Sequence, residues 1–160
     1  MDAAYPPLLH GYQYLRRLGQ GASSTVFLYQ HNESTTPIAV KVSSHPLYMN
    51  AAAAQSFAHE ASCLARLPEH PCIARMYGYG ISPNGHGYIM LEYAPNGTLQ
   101  TRMEQRSITV SQTIDLGIKL AGALATAHHA GILHRDIKPR NILITTQGLP
   151  VLSDFGIAAN

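Results

Sequence analysis

The stretch Ile132-Leu133-His134-Arg135-Asp136-Ile137-Lys138-Pro139-Arg140-Asn141-Ile142-Leu143, followed by Ser153-Asp154-Phe155-Gly156, decides the reading of this chain. It sets a carboxylate, a lysine and a carboxamide in one short loop and supplies another carboxylate soon afterwards. Transfer of a γ-phosphoryl group needs that inventory: a carboxylate to orient or deprotonate the accepting hydroxyl, and separate oxygen ligands to hold Mg²⁺ on the phosphates. Asp136 suits the first task. Asn141 and Asp154 suit the second, because Mg²⁺ prefers hard oxygen ligands and is usually held by one or two protein groups plus phosphate oxygens and waters. Lys138 adds a point charge. Ile142-Leu143-Ile144-Thr145 and Pro150-Val151-Leu152-Ser153 flank Gln147-Gly148 in the pattern of a hairpin, which would return Asp154 beside Asn141.

His-Arg-Asp, Asn five positions after the Asp, and then Asp-Phe-Gly form an ordered set that resembles the signature of protein kinases. Lys138-Pro139 is similar to the serine/threonine branch. The resemblance implies ATP as donor, Mg²⁺ (with Mn²⁺ as a substitute) as cofactor, and Ser or Thr hydroxyls of protein substrates as acceptors. It makes Asp136 and Lys138 catalytic residues and Asn141 and Asp154 metal ligands. A basic turn before a hairpin would explain any one of these residues, but not the ordered set.

Leu18-Gly19-Gln20-Gly21-Ala22-Ser23-Ser24-Thr25-Val26 resembles the Gly-rich loop of the same family, with Ser24 where a third glycine is usual. Gly19 and Gly21 would let backbone amides approach phosphates. Taken alone, the glycine pair reads more readily as an ordinary hairpin turn. The β-branched and aromatic run after it continues as a strand, whereas a dinucleotide-binding fold would enter a helix, and no Walker-type Gly-x-x-x-x-Gly-Lys-Ser/Thr occurs. His31-Asn32-Glu33-Ser34-Thr35-Thr36 reads as a hairpin loop leading to the strand Pro37-Ile38-Ala39-Val40-Lys41-Val42. Lys41, set among apolar residues, calls for an anion. The resemblance supplies the α- and β-phosphates and a helix glutamate; an outward-facing edge-strand lysine is the alternative. The alanine-rich segment 50–67, closed by Pro68, reads as that helix. Its acidic residue Glu60 shares a face with Phe57 and Leu64, which assigns a Lys41–Glu60 ion pair, with a solvent-facing Glu60 as the other reading.

Gly87-Tyr88-Ile89-Met90-Leu91-Glu92-Tyr93-Ala94-Pro95-Asn96-Gly97-Thr98-Leu99 reads as a buried strand leaving through a turn into a helix near Thr98. It resembles the kinase hinge, with Leu91 as gatekeeper and the backbones of Glu92 and Ala94 on the adenine edge. Val26, Ala39 and Leu143 match the residues that sandwich adenine, and Leu64, His134 and Phe155 match the family's regulatory spine. Thr109-Val110-Ser111-Gln112 forms a candidate capping box for a helix whose apolar row Ile114, Ile118, Ala121, Leu124 and Ala125 is expected to face the core, stopped by Gly131.

The chain has 160 residues, of which 46% are hydrophobic, enough for a core, and a formal charge of +2 is too small to imply nucleic acid or a membrane surface. Cys63 and Cys72 form no Cys-x-x-Cys pair and fit a reducing cytoplasm. The nine histidines are dispersed, without metal-site spacing. Neither a signal peptide nor a membrane-spanning run is expected. The resemblance implies an α+β, protein-kinase-like fold: an N-terminal antiparallel sheet lobe with one helix over about 12–93, then the hinge and the start of a mainly helical C-terminal lobe over 94–160. Only about 60% of such a domain is represented, since the activation loop, Ala-Pro-Glu motif and later helices would follow Asn160. The expectation is therefore a piece of a longer kinase, whose Ile114–Ala125 row would lack part of its packing surface. A non-catalytic nucleotide-binding or regulatory pseudokinase module is the alternative. A small-molecule phosphotransferase is disfavoured by the complete His-Arg-Asp-x-Lys-Pro-x-Asn string.

Overall fold

Alternation of side chains along Phe27-Leu28-Tyr29 and Ile38-Ala39-Val40-Lys41-Val42 builds the first part of the fold, seen in a computed structural model that describes residues 5–155. Residues 1–4, on which the expected lack of a leader partly rests, and residues 156–160, including Gly156 of the Asp-Phe-Gly reading, lie outside the described residues. The chain divides into two units. One takes in residues up to Ala61 together with Met76–Tyr93, and the other Ser62–Arg75 together with residues from Ala94 onward.

The first unit holds a five-stranded antiparallel sheet in the order β1-β2-β3-β5-β4: β1 Tyr12–Gln20, β2 Ser24–His31, β3 Pro37–Ser43, β4 Met76–Ile81 and β5 Gly87–Glu92. Directly paired residues share a face, so the register sorts the sheet into two sides. Phe27 opposes Val40 and Tyr29 opposes Ile38, while Val40 and Val42 oppose Met90 and Tyr88. Phe27, Tyr29, Ile38, Val40 and Val42, closed by Leu9 from the N-terminal segment, form a buried core cluster of the unit, with the partly buried Tyr88 and Met90 packed against it. On the other side Val26 opposes Lys41, Ala39 opposes Leu91, and Gly19 opposes Val26. Register slips in β1 after Tyr14 and after Arg17 mark bulges that bend the strand ahead of Gly19.

Tyr29 anchors the N-terminal segment over the core face: its hydroxyl donates to the Pro7 carbonyl at 2.6 Å, and burial pushes its phenol pKa far up. Tyr29→Phe would leave that carbonyl without its donor and is expected to cost about 1–3 kcal/mol. The check is a lower denaturant midpoint at unchanged slope.

β4 has no counterpart in the sequence reading. Gly78 and Gly80 weaken its strand pattern, and the structure compensates from the neighbouring strand. The Tyr88 ring lies where a Cβ on Gly80 would be, with its hydroxyl 2.6 Å from that position, and the Met90 sulfur covers Gly78 at 3.8 Å. The expected helix is α1, Ala51–Arg66, opened by Asn50, whose Oδ1 accepts from the Ala53 N–H at 3.1 Å.

In the second unit Thr98 caps α2, Leu99–Glu104, and the expected capping box opens α3, Val110–His129: Thr109 and Gln112 exchange side-chain and backbone hydrogen bonds at 3.2 and 2.9 Å. The packed face of α3 differs from the expected one. Leu116, Ala123 and Ala127 are buried, whereas Ile114 and Ile118 are 60% and 67% exposed and Ala121 and Ala125 are also exposed. Two rows on this helix have helical spacing and both carry alanines, so side-chain size does not rank them; α3 lies against the strand β7, Pro150–Leu152, with the Leu116 row buried, and the exposed Ile114 and Ile118 belong to the row expected to lack part of its packing surface. Antiparallel to β7 runs β6, Ile142–Ile144, joined by the expected turn with Gly148 at φ 78°. Asn96 and Gly97 lock onto β6, with the Asn96 side chain donating to the Thr145 carbonyl at 2.7 Å and Ile144 N–H donating to the Gly97 carbonyl at 2.9 Å. Among the described residues no helix is long and apolar enough to cross a membrane.

Candidate active site

In the first unit, the sheet register gathers Gly19, Val26, Ala39, Lys41 and Leu91 on one face, with Glu92 ending β5. Leu18, Gly19 and Gln20 finish β1; Gly21, Ala22 and Ser23 make the turn, closed by the Gly21 N–H donating to the Ser24 carbonyl at 2.8 Å; Ser24 opens β2. The fold has no steric need for glycine here. A Cβ on Gly19 meets nothing within 4 Å, the nearest atom to one on Gly21 is 3.7 Å away, and neither residue has a positive φ. Lys41 Nζ donates to Glu60 Oε1 at 2.7 Å, with side chains only 15% and 14% exposed. A pair so withdrawn from water holds both charges in place, since each offsets the desolvation of the other.

In the second unit, Asp136, Lys138, Asn141, Leu143, Asp154 and Phe155 come from one loop and the hairpin after it. Lys138 Nζ donates to Asp136 Oδ2 at 2.6 Å, and Asn141 Nδ2 donates to the same oxygen at 2.8 Å and to the Asp136 carbonyl at 2.9 Å. Pro139–Asn141 forms one 3₁₀ turn, closed by Asn141 N–H on the Lys138 carbonyl, which carries Asn141 straight into β6. Asp154 stands two residues beyond the end of β7, and β7 pairs with β6 from Ile142 opposite Leu152. Arg135 and Asp154 adopt φ 65° and 59°, a region that costs a non-glycine residue about 1 kcal/mol or more and is characteristic of working sites. Ala94, assigned to the adenine edge with Glu92, begins the segment that leads to Asn96.

The buried His134 spans this loop. Its Nδ1 accepts from the Asp136 N–H at 3.3 Å, which leaves the ring proton on Nε2 to donate to the Ser153 carbonyl at 2.8 Å. Its ring packs against Phe155 at 4.5 Å, and Leu64, the third residue matched to the spine, is buried. Ser153, read from sequence only as a strand residue, donates both its N–H and its hydroxyl to the Asn141 carbonyl.

The Lys138 hydrogen bond first, and then that of Asn141, hold the Asp136 carboxyl below the usual carboxylate range against the opposing pull of desolvation. The group is therefore a carboxylate throughout the neutral range and a weak base, better suited to orienting a hydroxyl than to removing its proton in the ground state. With the folded value below the unfolded one of about 3.9, its contribution to stability is present above the latter and is lost as pH falls through the folded value. Lys138→Ala is expected to raise the Asp136 titration midpoint, checked by carbon-13 NMR of the carboxyl.

No group of three or more His, Cys, Asp or Glu that could hold a metal occurs among the described residues. The donor set that Asn141 and Asp154 offer, one carboxamide oxygen and one carboxylate, fits Mg²⁺, which takes few protein ligands when phosphates supply the others.

A family model described as "Protein kinase domain" matches residues 12–160. The chain is 35% identical to the serine/threonine-protein kinase PknK of Mycobacterium tuberculosis over 92% of its length, and 33% identical to the probable serine/threonine-protein kinase CPE1738 of Clostridium perfringens over 92%. It spans 13% and 21% of those relatives' lengths. The crystal structure of a mutant form of the M. tuberculosis PknI kinase domain matches with a TM-score of 0.79 and 31% identity, covering 99% of this chain and 64% of that one.

Proposed function

The chain belongs to the protein kinase domain family, and on that premise we propose that the protein carrying it transfers the γ-phosphoryl group of ATP to Ser and Thr hydroxyls of protein substrates. The observation that carries this reading is the cluster in which Lys138 and Asn141 converge on the Asp136 carboxylate, with the β6–β7 hairpin bringing the chain back to Asp154. Asp136 orients the accepting hydroxyl, and Lys138 offsets charge on the phosphoryl group in transit. Asn141 and Asp154 would hold Mg²⁺, which when bound neutralises charge on the phosphates. Lys41, held by Glu60, orients the α- and β-phosphates.

Leu18, Gly19, Gln20, Gly21, Ala22, Ser23 and Ser24 are proposed to cover the phosphates. The open space around Gly19 supports this, because the missing side chain is explained by what approaches from outside rather than by packing. Val26, Ala39 and Leu143 are proposed for the adenine faces, Leu91 for the gatekeeper, and the backbones of Glu92 and Ala94 for the adenine edge. In lobe terms we assign 12–93 to the N-lobe and 94–160 to the hinge and C-lobe. For a reducing, cytoplasmic setting the support is Cys72, a buried thiol whose pKa burial pushes up, so that it stays protonated.

The test is incubation with ATP, Mg²⁺ and an unstructured Ser/Thr-rich polypeptide, followed by phosphoamino acid analysis. Phosphoserine or phosphothreonine is expected. Nucleotide binding with no transfer to any polypeptide would leave the regulatory alternative in its place.

A further inference from the structure

Asn141 and Ser153 form the rung next to the last regular pair of the β6–β7 ladder, Ile142 with Leu152. A rung at the end of a two-stranded ladder has no neighbour on its far side, and this one carries a proposed metal ligand. Ser153 reinforces it twice. Its N–H donates to the Asn141 carbonyl at 3.0 Å and its hydroxyl donates to the same oxygen at 3.1 Å, using both lone pairs of that acceptor. Its own carbonyl takes the His134 Nε2–H at 2.8 Å. Ser153 and Asn141 are each 6% exposed and His134 is 1% exposed, so water does not compete for these bonds.

We propose that Ser153 is a positioning residue for metal binding, whose hydroxyl fixes the Asn141 backbone so that the carboxamide presents Oδ1 to the cation. The inference rests on the phosphoryl-transfer reading and deepens it. Both contacts of Asn141 Nδ2 run to Asp136, at 2.9 Å to the carbonyl and 2.8 Å to Oδ2, which leaves Oδ1 as the face for a hard cation. The carboxamide is aimed only if its own main chain is still. The hydroxyl, unlike the ladder N–H that any residue but proline supplies, is particular to the side chain at this position. Asp154 follows Ser153 directly, so one residue sets the backbone of both proposed ligands.

The experiment titrates Mn²⁺ into the full chain with a nonhydrolysable ATP analogue present, following free Mn²⁺ by electron paramagnetic resonance, for wild type, Ser153→Ala and Ser153→Thr. Ser153→Ala is expected to weaken Mn²⁺ binding about 10-fold, the lower end for loss of a group that orients a ligand. Its melting temperature should stay close to wild type, because the Ser153 N–H still satisfies the Asn141 carbonyl. In the metal-free chain the Asn141 side-chain amide resonances are expected to shift, and Ser153→Thr, which keeps the hydroxyl, to recover Mn²⁺ affinity. Wild-type affinity in a folded Ser153→Ala overturns the inference. Should the alanine variant not fold, Ser153→Cys, with a much weaker donor of similar size, takes its place under the same criterion. A wild-type chain that binds the analogue without any dependence on Mn²⁺ overturns instead the phosphoryl-transfer reading beneath it.

Discussion

Replacing Asp136 with asparagine is expected to lower phosphoryl transfer by about 10²–10⁴-fold, the contribution of a positioned acid–base group, while nucleotide binding is retained. The substitution preserves size, so the loop keeps its course, but it removes the carboxylate on which Lys138 and Asn141 converge. Lys138 then faces a neutral carboxamide, and the accepting hydroxyl has no anion to orient it. The check is a pair of measurements on one preparation: initial rates of transfer to a protein substrate, and calorimetric affinity for a nonhydrolysable ATP analogue. Full transfer by Asp136→Asn would remove this residue from the mechanism, whereas loss of both properties would point to a disrupted loop.

For Asp154→Asn the expected loss is about 10³-fold or more in transfer, the rate equivalent of the several kcal/mol that a bound cation supplies to developing phosphate charge. Here nucleotide affinity should also lose its dependence on Mg²⁺, which distinguishes a ligand from an orienting group. The positive φ of Asp154 adds a second consequence. Asparagine tolerates the left-handed region about as well as aspartate, so this variant should fold and melt like wild type. A chain whose Mg²⁺ dependence survives the change would free Asp154 from the metal role.

These two residues stand out in the sequence because their chemistry and spacing are local. Asp136, Lys138 and Asn141 lie within six consecutive positions, and the Gln147-Gly148 turn is a short-range signal for a hairpin, whose register, Ile142 opposite Leu152, is set by the loop that Thr145 and Leu149 close. The capping box of α3, the α1 start at Asn50 and the β3 strand around Lys41 are local in the same sense. Lys41 and Glu60 stand nineteen positions apart, where family resemblance and not local pattern links them, and the structure places their charged atoms 2.7 Å from each other.

What amino-acid order determined by itself, then, is where elements begin, end and turn, and which reactive groups share a loop, since caps, glycines and side-chain alternation act over a few residues. Tertiary structure decided what depends on a distant partner. It chose the Leu116, Ala123 and Ala127 row of α3 over the Ile114 and Ile118 row, because a helix with two apolar rows takes its inner face from whatever it packs against. It made a strand of the glycine-bearing Met76–Ile81 by laying Tyr88 and Met90 of β5 over the bare backbone. It also turned Ser153 from a strand residue into a clamp on Asn141, a role that exists only once a carbonyl twelve positions upstream has been brought within 3.1 Å of its hydroxyl.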